Sequence, residues 1–204
     1  MKYINNIPEH KYPWLPVLYS IVLTLKPKKI IEFGTAFGGT AITMGLALKE
    51  LEEEENHKGK IWTYDTFEVQ SKGEIGSSPN YHYAKSNIEN YPTPVHQYIE
   101  MDRGDFFEFN DNPDKDYDLF YFDIDNDGDK LLEMYNKNVS NIEQGGVVVF
   151  EGGSLTRDNV PWMIERNKIK MNDIQNKVPY KLLTPDQKYS CSILYNPQIY
   201  NLDI

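Results

Sequence analysis

The 204 residues contain one cysteine, Cys191. An internal disulfide is therefore excluded, and such usage fits a compartment where thiols stay reduced. Long apolar runs are also missing. The longest, Trp14 to Leu25, is too short to span a bilayer and contains Pro16. It lacks a small-residue cleavage site, so it does not read as a secretory leader, and the expected location is the cytoplasm. Positive charge is scarce, with 21 Lys and Arg against 31 Asp and Glu and a net charge of −10. A field of that sign repels phosphate backbones, which sets nucleic acid aside as a partner. No membrane partner is expected. Histidine is sparse as well. His10, His57 and His96 stand apart from one another, and His82, between Tyr81 and Tyr83, is the one considered as a base. No repeat of solenoid period is visible. Hydrophobic content of 40% and charged content of 25% are ordinary for a globular chain of this size, which reads as one domain.

What the chain does have is a stretch that organises the rest, Ile30-Ile-Glu-Phe-Gly-Thr-Ala-Phe-Gly-Gly-Thr-Ala-Ile42. It starts as an apolar strand, breaks at Gly34, passes small residues to a glycine pair and continues as a helix from Thr40. Strand, glycine turn and helix together present backbone N–H groups and a helix N-terminus to a ligand. The glycines allow close approach and positive φ. From Gly34 the turn reads G-T-A-F-G-G, which is neither the dinucleotide G-x-G-x-x-G nor the phosphate-loop G-K-[ST]. A cofactor without a pyrophosphate fits it better.

Periodicity supplies the other elements. Residues 1–13 read as an extended arm, and Trp14 to Leu25 as an amphipathic helix stopped by Pro27. A strand over 29–33 is followed by a helix from Thr40 to Glu54 and a strand from Ile61 to Asp65. Residues 66–81 read as a long loop of the kind that serves as a lid, and 82–90 as helical. Further strands are expected at Val95–Met101, Asp118–Asp123 and Val147–Phe150. Helices are expected at Leu131–Val139 and Pro161–Ile169, and Lys181–Thr184 with Ser190–Tyr195 as a closing strand pair. The two most apolar strands imply burial on both faces, hence a parallel sheet covered by helices. The predicted fold is a doubly wound α/β, mostly parallel seven-stranded sheet with helices on both faces. Its segments are an arm and helix over 1–27, a core over 28–152 and a closing region over 153–204.

Acids fall at successive strand ends: Glu32, Asp65, Asp102 or Asp105, Asp123 and Glu151. Ligands bind such sheets at the carboxyl ends of the strands. Asp65 ends the second strand, where an acid can accept hydrogen bonds from both ribose hydroxyls of a nucleoside. The aromatics Tyr12, Trp14, Tyr81, Tyr83 and Trp162 are candidates for an acceptor pocket.

Three segments resemble one family. Glu32-Phe-Gly34-Thr-Ala-Phe-Gly38-Gly39 is similar to motif I, E-x-G-x-x-x-G, of the class I S-adenosylmethionine-dependent methyltransferases. Tyr117-Asp-Leu-Phe-Tyr-Phe-Asp123-Ile-Asp125-Asn126 and Gly145-Gly-Val-Val-Val-Phe-Glu151-Gly152 resemble segments of the caffeoyl-CoA and catechol O-methyltransferases. The cephalosporin-hydroxylase-like and macrolide-sugar methyltransferases are similar too. The resemblance covers roughly residues 28–152 in order and spacing. It implies S-adenosylmethionine as cofactor, with Glu32, Gly34, Thr35, Gly38 and Gly39 lining its methionine part. Asp65 would hold the ribose, and Asp102 or Asp105 would lie by the adenine. Ala36, Phe37, Thr40, Thr66 and Asp123 complete the implied contacts. Metal-dependent members hold a divalent cation such as Mg²⁺ on acids at the positions of Asp123 and Glu151. The implied reaction is O-methylation of a small hydroxylated acceptor, a sugar or secondary metabolite, with Asp123, Asp125 and His82 as the catalytic candidates. A homodimer is compatible with this reading.

The pattern is broken at two positions. The family's lysine three residues after the first acid is Asn126 here, and its second ligand on strand five is Gly152. Asp125, Asp127 and Asp129 are the acids that would have to compensate. These breaks keep open a lapsed, binding-only relative. The D-x-D of Asp123 and Asp125 also resembles that of nucleotide-sugar glycosyltransferases, a reading that leaves the glycine turn unexplained. An EF-hand starting at Asp123 is rejected, because position twelve would be Met134.

Overall fold

Seven short segments, the central ones the most apolar, form the strands of one sheet. These are β1 (Lys29–Phe33), β2 (Lys60–Asp65), β3 (Ile99–Arg103), β4 (Leu119–Phe122), β5 (Val147–Glu151), β6 (Lys181–Leu182) and β7 (Cys191–Leu194), in the order β3-β2-β1-β4-β5-β7-β6. The helices are α1 (Leu15–Leu25), α2 (Gly39–Glu55), α3 (Tyr81–Glu89), α4 (Gly128–Glu143), α5 (Leu155–Asp158) and α6 (Pro161–Glu165). This computed structural model describes residues 1–7, 12–67, 81–108, 116–124 and 127–200. Strands β1, β2 and β3 pair in parallel, as do β4 and β5, whereas β7 runs antiparallel to β5 and β6. The mostly parallel α/β sheet expected from the sequence is thus the fold. Among the described residues, no helix is long and apolar enough to cross a membrane.

The chain divides into two compact units, one of Met1–Lys11 with Leu15–Asp114, the other of Tyr12–Trp14 with Lys115–Ile204. In the first, α1 buries Leu15, Leu18, Tyr19 and Val22, and α2 buries Ala41, Met44, Leu46 and Leu48. Helix α1 ends where Lys26 turns left-handed (φ 48°) ahead of Pro27. Helix α2 ends on Asn56, also left-handed, whose N–H reaches back to the Glu52 and Leu51 carbonyls. Asn tolerates this conformation at a helix C-terminus better than most residues. The third strand starts later than expected. His96–Tyr98 form a 3-10 turn closed by Tyr98 N–H on the Val95 carbonyl at 2.9 Å, and β3 begins at Ile99. The exposed His96-Gln97 pair gives a strand there no buried face.

In the second unit every residue of β4 and β5 is buried, as their unbroken apolar sequences require. Helix α4 outruns the expected Leu131–Val139 at both ends. Its start is moved forward by Asp127, whose Oδ1 accepts from the Asp129 N–H at 2.9 Å as an N-cap. The helix expected over Pro161–Ile169 is shortened to α6, and a further short helix, α5, precedes it. Ser154 Oγ caps α5 by accepting from the Arg157 N–H at 3.0 Å. Helix α6 stops at Glu165 because Asn167 adopts φ 49°. The closing pair is present but shorter than expected, Lys181–Leu182 against Cys191–Leu194.

Candidate functional site

In the first unit β1 runs straight into the glycine turn. Gly34 (φ 103°), Ala36 (φ 46°) and Gly38 (φ 85°) all take positive φ. The turn closes through Gly38 N–H on the Thr35 carbonyl at 2.7 Å, and is tied to β2 by Gly34 N–H on the Tyr64 carbonyl at 2.8 Å. Beneath it lies Glu32, with no exposed surface. Its carboxylate accepts from the hydroxyls of Thr40 and Thr63, and the Thr63 and Thr35 hydroxyls share a further hydrogen bond. Burial, helped by the nearby Asp65 charge and opposed by the two threonine hydrogen bonds, lifts the Glu32 carboxyl to about 7. Beside the turn, Asp65 Oδ2 accepts the Ala36 N–H at 2.9 Å and Oδ1 the Phe67 N–H at 2.8 Å. One carboxylate thus fixes both the apex of the turn and the chain leaving β2.

The remaining turn residues face α3. Phe37 is half-buried with its ring 5.7 Å from Tyr83, and its carbonyl accepts from Asn87 Nδ2 at 3.0 Å. A Cβ at Gly38 would come within 2.9 Å of Ile88 Cγ1, so glycine here serves helix packing as well as φ. Gly39 opens α2. A cavity of about 360 Å³ lies on this side, lined by Phe37, Gly39, Ile42, Asn87 and Tyr91 among others. Asp65 takes no part in lining it.

At the ends of β2 and β3 the Thr66 carbonyl accepts from Arg103 Nη1 at 3.0 Å, and the Arg103 guanidinium lies over the rings of Phe67 and Tyr81 at 5.7 and 5.6 Å. Asp102 is exposed and accepts the adjoining Arg103 N–H at 2.7 Å. Half-buried Asp105 accepts the Phe107 N–H at 2.8 Å. His82 is exposed on α3, its ring edge-on to Tyr81 at 5.8 Å. The structure therefore gathers Glu32, Thr35, Thr40 and Asp65 around the turn. It places Asp102, Asp105 and His82 in local surface arrangements.

The second unit carries the other strand-end acids. Asp123 follows β4 and is half-buried, and Glu151 ends β5 with 5% of its surface exposed. Glu151 Oε1 lies 3.4 Å from Nη2 of Arg157, itself 7% exposed. The Arg157 guanidinium sits 5.2 Å over the Trp162 ring. Tyr12 packs against Trp14 at 4.5 Å and Tyr189 at 6.2 Å. Burial pushes its phenol well above the usual range, and the Asp123 and Glu151 charges add to this while Arg157 opposes it. Cys191, paired with Glu151 across β5 and β7, is fully buried. Burial first, then the same two acids, hold its thiol protonated, so it is no nucleophile. Trp14 leaves the expected acceptor wall. It is wholly buried and donates from Nε1 to the Tyr121 hydroxyl at 3.1 Å, as a core side chain. Asp125 and Asn126 lie outside the described residues.

Among the described residues, the strand-end acids of the second unit do not form a donor set that fits a divalent cation. No group of three or more His, Cys, Asp or Glu among the described residues is arranged to hold one. The Glu151 carboxylate is engaged by Arg157. Gly152, where the resemblance calls for a second donor, brings no side chain and sits at φ 110°, a backbone that favours glycine over Asn or Asp. Asp127 caps α4 and pairs with Lys168 at 2.9 Å, and Asp129 is exposed. Sequence reasoning missed Arg157 and Thr63. Arginine is rare here, at positions 103, 157 and 166 alone, and that scarcity was the available signal for Arg157. Thr63 was signalled by its place one residue from Trp62 and Tyr64 on the alternating strand, a hydroxyl on the buried face beside an acid.

Comparison with known proteins gives this geometry a family. A model described as a methyltransferase domain matches residues 31–151, from β1 to the end of β5. No curated protein matches the chain. Solved structures show the same fold at low identity. The O-methyltransferase TomG from Streptomyces achromogenes, in complex with S-adenosylmethionine, gives a TM-score of 0.59 at 15% identity over 90% of this chain and 80% of that one. The O-methyltransferase from Bacillus cereus, in complex with S-adenosylhomocysteine, gives 0.56 at 16% identity over 93% and 83%. A Staphylococcus aureus protein assigned as a caffeoyl-CoA O-methyltransferase gives 0.59 at 16% identity over 95% and 88%. With more than half of its length matched by that model, the chain belongs to the methyltransferase-domain family.

Proposed function

We propose that this methyltransferase takes S-adenosylmethionine as its cofactor and transfers the methyl group to a hydroxyl oxygen of a small acceptor. The observation that carries the reading is the glycine turn braced by Glu32 from below and Asp65 from the side. Among the described residues of the first unit no buried lysine or arginine backs the turn, and the acids Glu32, Asp65, Asp102 and Asp105 stand at its strand ends. That charge pattern suits a cationic ligand and disfavours a phosphate. Asp65 already accepts two backbone N–H groups, but a carboxylate has about four lone-pair sites. Two remain for ribose hydroxyls without disturbing the turn.

When bound, S-adenosylmethionine supplies a methyl group on positively charged sulfur, which departs with the C–S electron pair as the acceptor oxygen bonds to carbon. This chain's residues then have three tasks. The turn and Asp65 hold the donor in one orientation, which converts the encounter into an effectively intramolecular step. Asp123, half-buried after β4, takes the proton released by the acceptor hydroxyl. The Tyr12 phenol stays protonated beside Asp123 and Glu151, so it can donate a hydrogen bond but not serve as the base.

Calorimetry with S-adenosylhomocysteine tests the reading. Wild type is expected to bind it saturably, and Asp65→Ala to bind at least about tenfold more weakly, the loss of about 1.4 kcal/mol that one charge-assisted hydrogen bond represents. Absence of binding by the wild-type chain would overturn the cofactor assignment.

A further inference from the structure

The Glu151–Arg157 pair sits where the family resemblance puts one end of a metal site, and its chemistry is that of a cation already in place. Arg157 is held from several sides. Its backbone N–H is bound by the Ser154 hydroxyl at 3.0 Å, its guanidinium lies on Trp162, and Nη2 faces Glu151. Its Nε is buried and has no hydrogen-bond partner among the described residues. A guanidinium does not lose its proton in a protein, so the positive charge at Glu151 is permanent. Burying that charge without Glu151, or Glu151 without that charge, is strongly unfavourable. Gly152 and Gly153, with φ 110° and 92°, then turn the chain away without offering a side-chain donor. A Cβ on Gly153 would strike Ser192 Oγ at 2.3 Å.

We propose that Arg157 is a positioning residue that supplies at Glu151 the positive charge a divalent cation would otherwise bring, so that this enzyme transfers its methyl group without a metal. The proposal rests on the methyltransferase reading above but is tested separately from it. Glu151, nearly wholly buried and paired with Arg157, is fixed in place. It acts through Arg157 on the local field, and Asp123, the more accessible of the two acids, is the one that exchanges a proton with the acceptor. The charge of Arg157 offsets that of Glu151. A cation of charge two there would meet the guanidinium at close range, and like charges in a buried site repel strongly.

The test is titration of the full chain with Mn²⁺, followed by calorimetry and by the loss of the free-ion electron paramagnetic resonance signal. Wild type is expected to show no saturable binding. Saturable binding that disappears in Glu151→Gln would overturn the proposal. In Arg157→Gln the carboxylate keeps a neutral hydrogen-bond donor but loses its cation, and Mn²⁺ is expected to raise the Tm of this variant while leaving wild type and Arg157→Gln/Glu151→Gln unchanged. A folded Arg157→Gln that ignores Mn²⁺ would show that Arg157 does not hold the place of a metal. Should Arg157→Gln fail to fold, the wild-type titration decides alone. S-adenosylhomocysteine binding, measured on the same samples, keeps the two readings apart. Its absence sinks the cofactor assignment, whereas Mn²⁺ binding at Glu151 sinks only this one.

Discussion

Glu32→Gln should change how stability depends on pH, by an amount that follows from the site beneath the glycine turn. Glu32 is wholly buried, and burial lifts its carboxyl from the ordinary 4.5 to about 7. At about 1.4 kcal/mol per pH unit, that separation is worth about 3 kcal/mol. The sign follows from proton counting. Between 4.5 and about 7 the unfolded chain has released a proton that the folded chain keeps, so the free energy of unfolding falls as pH rises. The contribution is fully present below about 4.5, declines up to about 7 and is flat beyond. The glutamine of the variant has no proton to lose, and its amide can accept from one threonine hydroxyl while donating to the other. Chemical denaturation of wild type and variant from about pH 4 to about pH 9 gives the difference directly, with every other titrating group common to both. The variant should gain on wild type by about 3 kcal/mol across that window. A difference that stays constant with pH, or that grows as pH falls, would refute the placement of Glu32 in a dry, threonine-lined site.

Two further outcomes follow from the geometry. Gly38→Ala should cost about 1–2 kcal/mol from the left-handed backbone alone, and more from the contact with Ile88, as measured by urea denaturation. A cycle with Ile88→Ala should recover the contact part and leave the backbone part, and full additivity would argue against that contact. Cys191 should resist a thiol reagent in the folded protein and react only on unfolding, because it is fully buried and burial raises its thiol well above the usual range. Rapid labelling under native conditions would contradict both.

The sheet was legible because its signals are local and strong. The runs Leu119–Phe122 and Val147–Phe150 have no charged residue to place on a solvent face, so they could only be buried on both sides. Glycine spacing identified the turn, and its positive φ values at Gly34 and Gly38 are those the residue type permits. What escaped depended on partners distant in sequence. Nothing in Leu155–Asp158 announces that Arg157 meets Glu151, because α5 is one turn long and too short for periodicity to speak. The break after Glu165 was hidden for a similar reason. Asn167 could continue a helix or end one, and only its left-handed backbone decides. Trp14 misled in the opposite direction. As an aromatic it was a candidate for the acceptor pocket, but its indole N–H found a buried partner in Tyr121, far along the chain.

The strand-end acids show why residue type and position alone understate a site. Five such acids suggested a common ligand, yet four of them meet local demands of their own. A tight turn leaves backbone N–H groups without helical or strand partners, and an adjacent carboxylate is drawn to them; Asp65 and Asp105 answer that need. Glu151 faces a buried guanidinium, and the pair neutralises itself. Glu32 is held by hydroxyls, with no cation against it among the described residues and a carboxyl lifted to about 7. An acid so placed gains from a positive charge arriving at the turn, and it gains more than an exposed acid would, because little water screens the pair. The same residue that costs stability above neutral pH is therefore the one best disposed to reward a cationic ligand, and this coupling ties the strain beneath the turn to its use.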